Sequence, residues 1–254
     1  MVHHAPYHRG PAPAQGRPDL TPEPRPELTD NERDLIEQGR LLFAREARFF
    51  HAAQRLDQLP PQRLPEIAFA GRSNVGKSSL VNALTGRRAL ARASNTPGRT
   101  RQLNFFELGA RLVIVDMPGY GYAQAGHAIK RDWQGLMLDY LRGRPSLARV
   151  VLLLDARVEI KESDRTVMDL LDHAAVTFQL VLTKTDAVKP ARLAAKVEET
   201  LALARAHAAA FPSVFPTSSE TGEGIPELRA SLATLAATGE DGQRPPDGDR
   251  SQWE

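Results

Sequence analysis

The sequence predicts an α/β fold, a three-layer arrangement in which helices cover both faces of a mostly parallel, six-stranded sheet. Two continuous apolar runs, Val150–Asp155 and Phe178–Thr183, have the pattern of strands buried on both faces. Amphipathic stretches of helical period alternate with such runs, as parallel strands joined by crossover helices require. A glycine-rich loop, GRSNVGKS at Gly71–Ser78, joins the first run to the helix after it.

The bulk composition excludes several classes of protein. The 254 residues are 41% hydrophobic and 25% charged, which is ordinary for a globular protein. The absence of cysteine excludes disulfides, cysteine-ligated zinc and thiol catalysis. The sequence shows no run of 18 apolar residues and no apolar signal core, so we expect a cytoplasmic protein that does not span a membrane. A formal net charge of +2 does not by itself indicate nucleic-acid binding.

Four segments follow one another along the chain. Residues 1–28 contain seven of the 19 prolines and few large apolar residues, so we expect a disordered tail. Residues 29–61 are predicted to form an N-terminal helical extension. Residues 62–237 have the size of one domain. Residues 238–254 contain no Leu, Ile, Val or Phe and are predicted to be a second disordered tail.

The N-terminal extension begins with a capping-box pattern, Thr29 to Glu32. An apolar residue then recurs every seven positions, at Leu35, Leu42, Phe49 and Leu56. Such an amphipathic stripe packs on the outside of the domain or binds a partner, and the sequence leaves both possibilities open.

Strands and helices alternate through the central segment. The predicted strands are 67–70, 103–108, 112–116, 150–155, 178–183 and 214–216. The predicted helices are 77–84, 130–142, 162–174, 191–209 and 226–236. Ligands of such sheets bind at the carboxyl ends of the strands, and the motifs described next follow those ends.

The glycine-rich loop is a complete phosphate-binding pattern, G-x-x-x-x-G-K-S. Gly71 and Gly76 permit backbone turns that a side chain would block. The backbone N–H groups of such a loop face the α/β-phosphates, Lys77 reaches the β/γ-phosphates, and the hydroxyl of Ser78 meets Mg²⁺. The helix that follows presents its positive N-terminal end to the anion.

Two further motifs have the positions of nucleotide-sensing switches. Pro97–Thr100 lies in a loop that can order around a γ-phosphate, and Thr100 is the predicted second hydroxyl ligand of Mg²⁺. Asp116–Gly119, with the sequence DMPG, ends an apolar strand. We expect Asp116 to hold Mg²⁺ through water and the Gly119 N–H to meet the γ-phosphate.

The last two motifs predict specificity for guanine. Thr183–Asp186, with the sequence TKTD, follows a buried strand, and Asp186 can accept hydrogen bonds from the N1–H and the exocyclic amine of guanine. Adenine offers neither donor in that arrangement. Ser218 and Ser219, within TSSE at Thr217–Glu220, are predicted to close over the guanine oxygen. The chain is therefore predicted to bind GTP and GDP together with Mg²⁺.

These motifs give a defined set of predicted site residues. The predicted catalytic residues are Lys77, Asn74, Thr100 and Gly119, and the predicted metal ligands are Ser78, Thr100 and Asp116. The predicted nucleotide contacts are Gly71, Arg72, Ser73, Asn74, Val75, Gly76, Lys77, Ser78, Ser79, Gly98, Arg99, Thr100, Arg101, Gln102, Asp116, Met117, Pro118, Gly119, Thr183, Lys184, Thr185, Asp186, Thr217, Ser218 and Ser219.

Several segments resemble one known family. PEIAFAGRSNVGKSSLVNAL, SNTPGRTRQLNFFEL, VDMPGYGYA, LTKTD and SSETGEGI are similar to the EngB (YihA/YsxC) family of bacterial ribosome-biogenesis GTPases, within the TrmE–Era–EngA–YihA–Septin-like group of P-loop NTPases. The resemblance covers roughly Arg40 to Ala236. It implies a small GTPase-like fold, hydrolysis of GTP with Mg²⁺, and a cytoplasmic monomer that assists assembly of the large ribosomal subunit. Residues 158–161 depart from the usual pattern of the family.

Two residues bear on the expected mechanism. Tyr120 stands where many small GTPases carry a water-positioning Gln, and a phenol cannot do that work, so we expect slow intrinsic hydrolysis. In GTPases that the chain resembles, an Asn at the position of Asn74 can help to hold K⁺ at the phosphates. The alternative is that Asn74 only stabilises its loop through local hydrogen bonds.

The partner surface is less defined by the sequence. Arginines cluster near the first switch, at Arg87, Arg88, Arg92, Arg99 and Arg101, and near the fourth strand, at Arg142, Arg144 and Arg149. They suit phosphates of ribosomal RNA, or form a solvated basic face. An alternative function is a GTPase scaffold that acts directly in septation or at the membrane. A tandem-domain or tRNA-modifying GTPase is disfavoured, because the sequence shows neither a second P-loop nor a cysteine.

Overall fold

The computed structural model of the chain describes residues 27–87, 90, 102–120, 135 and 137–237. The helices are α1 (Asp30–Phe43), α2 (Lys77–Thr85), α3 (Glu162–His173), α4 (Pro190–Arg205) and α5 (Ile225–Ala233), and residues 137–143 are also helical. The strands are β1 (Ala47–Ala53), β2 (Glu66–Gly71), β3 (Leu103–Leu108), β4 (Leu112–Asp116), β5 (Leu147–Asp155), β6 (Phe178–Thr183) and β7 (Phe215–Pro216). The predicted disordered tails fall outside the described residues, apart from 27–28.

The described strands form one seven-stranded sheet in the order β1-β3-β4-β2-β5-β6-β7. Strand β3 pairs antiparallel with both β1 and β4, whereas β4, β2, β5, β6 and β7 are mutually parallel neighbours. The predicted fold class is confirmed, and the expected number of six strands is one too few. The hairpin between β3 and β4 turns at Gly109 and Ala110, both in the left-handed region with φ of 56° and 54°.

The additional strand is β1, which corrects the predicted N-terminal helix. The helix begins as predicted, since the Thr29 side chain accepts from the Glu32 N–H and the Glu32 carboxylate accepts from the Thr29 N–H. It ends at Phe43, and residues 47–53 pair with β3 instead. Aromatic residues favour strands, and Phe49 meets Phe106 edge to face across the pair, with ring centroids 5.7 Å apart.

The core lies on both faces of the sheet. Alternate strand residues pack towards α3, α4 and residues 137–143 on one face, and towards α1, α2 and α5 on the other. Side chains such as Ala68 and Leu152 belong to the first face, and Phe69 and Leu153 to the second. This two-sided burial explains the continuous apolar runs in the sequence.

Helix α1 is part of the described domain rather than a free arm. It packs against α5, where a Cβ added to Gly39 would lie 2.6 Å from the backbone nitrogen of Ala230. Such a distance leaves no room for a side chain, so glycine permits the close approach of the two helices. Helix α5 in turn supports α2, since the Arg229 guanidinium donates to the carbonyls of Ala83 and Leu84 at its C-terminal end.

Candidate nucleotide-binding site

The phosphate-binding loop joins the end of β2 to the start of α2. Its first glycine, Gly71, is enclosed: an added Cβ would lie 2.8 Å from Cγ1 of Val75 and 3.1 Å from Cβ of Leu153. Gly76, the residue before α2, has a φ of 105°, and Asn74 has a φ of 65°. The two left-handed residues turn the chain so that the N-terminus of α2 opens at the carboxyl edge of the sheet, where an anion is favoured.

Lys77 and Asp116 come together at this edge. Asp116 is the last residue of β4, pairs in register with Phe69 of β2, and is buried. The Lys77 ammonium donates to its carboxylate. The ion pair places the Lys of the loop beside the Asp of the second switch motif, and Ser78 follows Lys77 directly in the first turn of α2.

The residues after Asp116 are pressed against the phosphate-binding loop. The Tyr120 N–H donates to the Gly71 carbonyl at 3.2 Å, and the Tyr120 carbonyl accepts from the Ser73 N–H at 3.1 Å. A Cβ added to Gly119 would lie 3.0 Å from the Ser73 hydroxyl oxygen. Gly119 therefore lies directly beside the phosphate-binding loop.

The side chain of Tyr120 points into the protein. It is buried, and its hydroxyl donates to Oδ1 of Asp164 at 2.9 Å. Asp164 also accepts from the Lys161 N–H at the start of α3. Burial, followed by the charge of Asp164, raises the pKa of the Tyr120 phenol, so the phenol stays protonated at physiological pH. A hydroxyl engaged in this way is not placed to orient a water molecule.

The base-recognition motif is connected to the phosphate-binding loop by two residues. The Thr183 hydroxyl donates to the Val75 carbonyl at 2.7 Å. The Lys184 ammonium donates to the Asn74 carbonyl at 2.6 Å and to Oδ2 of Asp155 at 3.0 Å. These bonds set the position of the TKTD motif, Thr183–Asp186, relative to the phosphate-binding loop.

Asp155 is a residue that the sequence reasoning missed. It ends β5 and accepts hydrogen bonds from both Arg157 and Lys184. Burial alone would raise the pKa of this carboxyl, but the hydrogen bonds from Arg157 and Lys184 outweigh burial and lower it to about 2. The sequence does contain a pattern that indicates this residue, because Asp155 ends an apolar strand in the same way as Asp116.

Ser218 supports Asp186 from within the protein. Its hydroxyl donates to Oδ1 of Asp186 at 2.6 Å and accepts from the N–H groups of Glu220 and Thr221. The side chain of Ser218 is buried. The sequence placed this hydroxyl over the guanine oxygen, whereas the structure uses it to orient the carboxylate that would read the base. Thr217 adds a bond from its own hydroxyl to the Leu182 carbonyl at 2.9 Å.

The remaining predicted residues divide into two groups. Gly98, Arg99, Thr100 and Arg101 lie outside the described residues. Gln102 is described, and its side-chain amide donates a hydrogen bond to Oδ1 of Asn104 at 3.0 Å. Six more predicted residues are described, and each is next in the sequence to a site residue discussed above: Arg72, Ser79, Met117, Pro118, Thr185 and Ser219.

The donor set suits Mg²⁺ in a nucleotide complex. Within the described ranges, no group of three or more His, Cys, Asp or Glu side chains could hold a metal ion. Mg²⁺ in phosphate sites needs only one or two carboxylates, because the phosphates and water supply the other ligands. Asp116 and the Ser78 hydroxyl, both next to Lys77, fit that requirement.

The predicted basic surface near β5 is corrected by the structure. Arg144 is buried, and its guanidinium donates to both carboxylate oxygens of Glu66 and to the Pro60 carbonyl. Arg149 is also buried, with its guanidinium 4.2 Å from the ring centre of Phe211. Of the three arginines predicted to form this surface, only Arg142 is exposed. A buried guanidinium cannot contact RNA, so Arg144 and Arg149 do not contribute to a basic surface. Of the arginines near the first switch, only Arg87 is described, and it is exposed.

Comparison with known proteins agrees with this geometry. A family model described as a 50S ribosome-binding GTPase matches residues 66–184. A probable GTP-binding protein EngB of Granulibacter bethesdensis is 66% identical over 219 residues, which are 85% of this chain and 98% of that protein. A probable GTP-binding protein EngB of Gluconobacter oxydans is 66% identical over 79% of this chain and 88% of that protein.

Solved structures share the fold. A crystal structure of a probable GTP-binding protein engB covers 67% of this chain and 97% of its own, with a TM-score of 0.54 and 24% identity. A crystal structure of Era in complex with MgGDPNP and nucleotides 1506–1542 of 16S ribosomal RNA covers 74% of this chain and 61% of its own, with a TM-score of 0.57 and 20% identity. At this identity the likeness concerns the fold alone.

Proposed function

Because this chain belongs to the EngB family of GTP-binding proteins and is a GTPase, we propose that it is a nucleotide-gated factor in assembly of the large ribosomal subunit, needed for normal growth and division. The observation that supports this most is the meeting of the phosphate-binding loop, Gly119 and the guanine motif at one edge of the sheet. The matching family model is described as 50S ribosome-binding, which supports the proposed partner.

The proposed reaction is hydrolysis of GTP to GDP and phosphate. We propose that Ser78, Thr100 and Asp116 hold Mg²⁺, which when bound neutralises charge on the β- and γ-phosphates. Lys77, oriented by its ion pair with Asp116, would add positive charge there. The Gly119 N–H would bind the γ-phosphate, so its loss on hydrolysis would release the segment that follows.

We propose that hydrolysis by the isolated protein is slow. The supporting observation is the bond between Tyr120 and Asp164, which holds the side chain of the residue after Gly119 inside the protein. Single-turnover hydrolysis measures this directly. The expected rate is far below the median enzyme value of about 10 s⁻¹, and a rate near that value would contradict the proposal.

A potassium ion at the phosphates is a further part of the proposed mechanism. The Asn74 carbonyl is engaged by Lys184, but its side chain is exposed and no partner for its amide is found among the described residues. The amide oxygen is thus available to a cation. Hydrolysis is expected to be faster in K⁺ than in Na⁺ at equal ionic strength, and Asn74→Ala is expected to remove the difference. Equal rates in both salts would exclude the ion.

The structure favours the assembly factor over a division scaffold. A scaffold would need a free dimerising or membrane-binding segment, and residues 31–58 were the candidate. Helix α1 instead packs on α5, and β1 belongs to the sheet. In the part of the chain that the structure describes, no helix is long and apolar enough to cross a membrane. We propose a cytoplasmic monomer.

Co-sedimentation with purified large ribosomal subunits tests the proposed function. The full chain is loaded with a non-hydrolysable GTP analogue or with GDP before centrifugation. Binding with the analogue and release with GDP are expected. Absence of binding in both states, with guanine-nucleotide affinity intact, would contradict the ribosomal role.

A further inference from the structure

A groove lies beside the edge strand β1, at the end of the sheet opposite the nucleotide site. Its volume is about 380 Å³, and its floor includes Glu66 and Val113, near the starts of β2 and β4. The other lining residues are Arg48, Phe49, Phe50, Pro60, Pro61, Arg63, Leu64 and Glu107. The volume is at the small end of the range for ligand clefts, about 300–1,000 Å³.

The groove exposes an aromatic ring that the fold covers only in part. Phe50 is 37% exposed, although large apolar side chains normally lie inside. Phe49 also lines the groove, but its ring packs against Phe106 on the other face of the sheet. Phe50 sits at the irregularity in pairing between Phe49 and His51, and its ring packs against Phe105 with a centroid separation of 6.2 Å. A ring that is supported on one side and exposed on the other is a surface on which a flat partner can stack.

The charges at the groove favour an anionic partner. Arg48 is mostly exposed and meets Glu107 only at 3.9 Å, an ion pair that contributes little. Arg63 is exposed, and within the described ranges it has no acidic partner. The carboxylate of Glu66 is already neutralised by Arg144 at 2.6 Å. The Glu107 carboxylate, which also lines the groove, is opposed only by Arg48 among the residues that the structure describes. Arg63 therefore remains for a phosphate, and Arg48 can add a second contact by giving up a weak pair.

We propose that this groove, defined by Arg48, Phe49, Phe50 and Arg63, binds single-stranded RNA. Unstacked bases pack on aromatic side chains while arginines contact the backbone, and this combination accounts for both features of the groove. The inference rests on the proposed function, because it assigns the contact with ribosomal RNA to a surface other than the switches. The two buried arginines near β5 cannot provide that contact.

The contact is independent of the nucleotide state. None of the residues that line the groove belongs to the phosphate-binding loop, Gly119 or the guanine motif. The groove is therefore a constant anchor, and the switch segments supply the gated part of binding. Affinity for a single-stranded RNA probe is expected to be equal with GDP and with a GTP analogue.

Fluorescence anisotropy with a short, labelled single-stranded RNA tests the groove in the full chain. Arg48→Ala combined with Arg63→Ala is expected to reduce the slope of log affinity against log salt by about 1.4, since each contact to a single strand contributes about 0.7. Phe50→Leu keeps an apolar side chain but loses the ring, and is expected to weaken binding roughly tenfold. Phe50→Trp is expected to retain affinity.

Matched controls lie elsewhere on the surface. Arg165→Ala removes an exposed charge from α3, and Leu41→Ala truncates an exposed apolar side chain of α1. Neither is expected to change RNA affinity. All variants are expected to keep the GDP affinity and the unfolding temperature of the wild type, which shows that the groove variants are folded.

Three outcomes would overturn the inference. RNA affinity that the groove variants share with the controls would place the RNA contact elsewhere, even if gated binding to the large subunit is observed. Capture of an acidic extended peptide without RNA would assign the groove to a protein partner. Preference for a duplex of the same sequence would exclude stacking. Conversely, RNA binding in the groove without subunit binding would support the inference while contradicting the proposed ribosomal role.

Discussion

At the scale of single residues, Lys184 connects the guanine motif to the phosphate-binding loop, and Asp155 positions it. The Lys184 ammonium bonds to Asp155 and to the carbonyl of Asn74. We predict that Asp155→Asn weakens GTP and GDP binding equally, by roughly tenfold, because a charge-assisted bond becomes neutral and contributes less. Affinities for fluorescent GTP and GDP analogues measure the effect.

The control for this prediction is Arg157→Ala. Arg157 also bonds to Asp155 but lies on the exposed side, so its loss is expected to change affinity little. If Asp155→Asn lowers the unfolding temperature without changing nucleotide affinity, Asp155 has only a structural role.

The pH dependence of this link follows from the pKa of Asp155. Hydrogen bonds lower that pKa from 3.8 to about 2, so folding favours the charged carboxylate. The contribution to stability is complete above the unfolded value and is lost as the pH falls towards about 2. We therefore predict that the effect of Asp155→Asn on nucleotide affinity is constant between about pH 6 and 8. An effect that varied across that range would contradict the assigned charge state.

Tyr120 gives a second prediction at this scale. Tyr120→Phe removes the hydrogen bond to Asp164 but leaves the backbone pairing with Gly71 and Ser73. We predict a loss of about 1 kcal/mol in the free energy of unfolding, measured with denaturant. The hydrolysis rate of the GTP-saturated protein is expected to stay within about twofold, since a factor of two corresponds to only about 0.4 kcal/mol. A large fall in that rate at unchanged stability would show that the phenol takes part in the reaction.

At the scale of elements, the crossing of α1 and α5 connects the N-terminal helix to the nucleotide site through Arg229 and α2. We predict that Gly39→Ala destabilises the protein by about 2 kcal/mol or more, because the new methyl group meets the backbone of α5. The direction is informative, since Ala normally stabilises an exposed helix relative to Gly by about 1 kcal/mol. Denaturant unfolding measures the change.

The matched control is Gln38→Ala, on the exposed side of the same helix. It is expected to leave the free energy of unfolding nearly unchanged. If Gly39→Ala behaves in the same way, the helices are not in close contact in solution.

Strand β1 shows where the sequence was insufficient at this scale. The heptad spacing of Leu35, Leu42, Phe49 and Leu56 is helical, but only the first two lie in α1. Whether residues 47–53 form a strand depends on β3, whose edge they cover and which lies fifty or more residues further along the chain. The irregular pairing near Phe50 also breaks the alternation that would reveal a strand. The parallel strands were predictable because burial on both faces marks them in the local sequence.

At the scale of the whole molecule, the predicted site and the predicted surface differ in how well the sequence determines them. The nucleotide motifs are local: the loop that carries Lys77 follows β2, and Asp116 ends the neighbouring parallel strand β4, so both could be assigned to one edge of the sheet. The burial of Arg144 depends on Glu66, 78 residues away in the chain, and no local pattern indicates it. The support that Ser218 gives to Asp186 likewise exists only in the folded chain.

We propose that the nucleotide held by this site controls binding to the large ribosomal subunit. Asp186 should pair with two donors of guanine, whereas an Asn offers one donor and one acceptor, which match xanthine. Asp186→Asn is therefore expected to lose GTP by roughly 10⁴-fold and to gain xanthosine triphosphate.

The most direct measurement is co-sedimentation of Asp186→Asn with large ribosomal subunits, in the presence of non-hydrolysable analogues of GTP or of xanthosine triphosphate. We expect binding with the xanthosine analogue, release with xanthosine diphosphate, and no response to the guanosine analogue. Subunit binding that is the same with every nucleotide, while the variant binds the xanthosine analogue, would contradict nucleotide gating by this site.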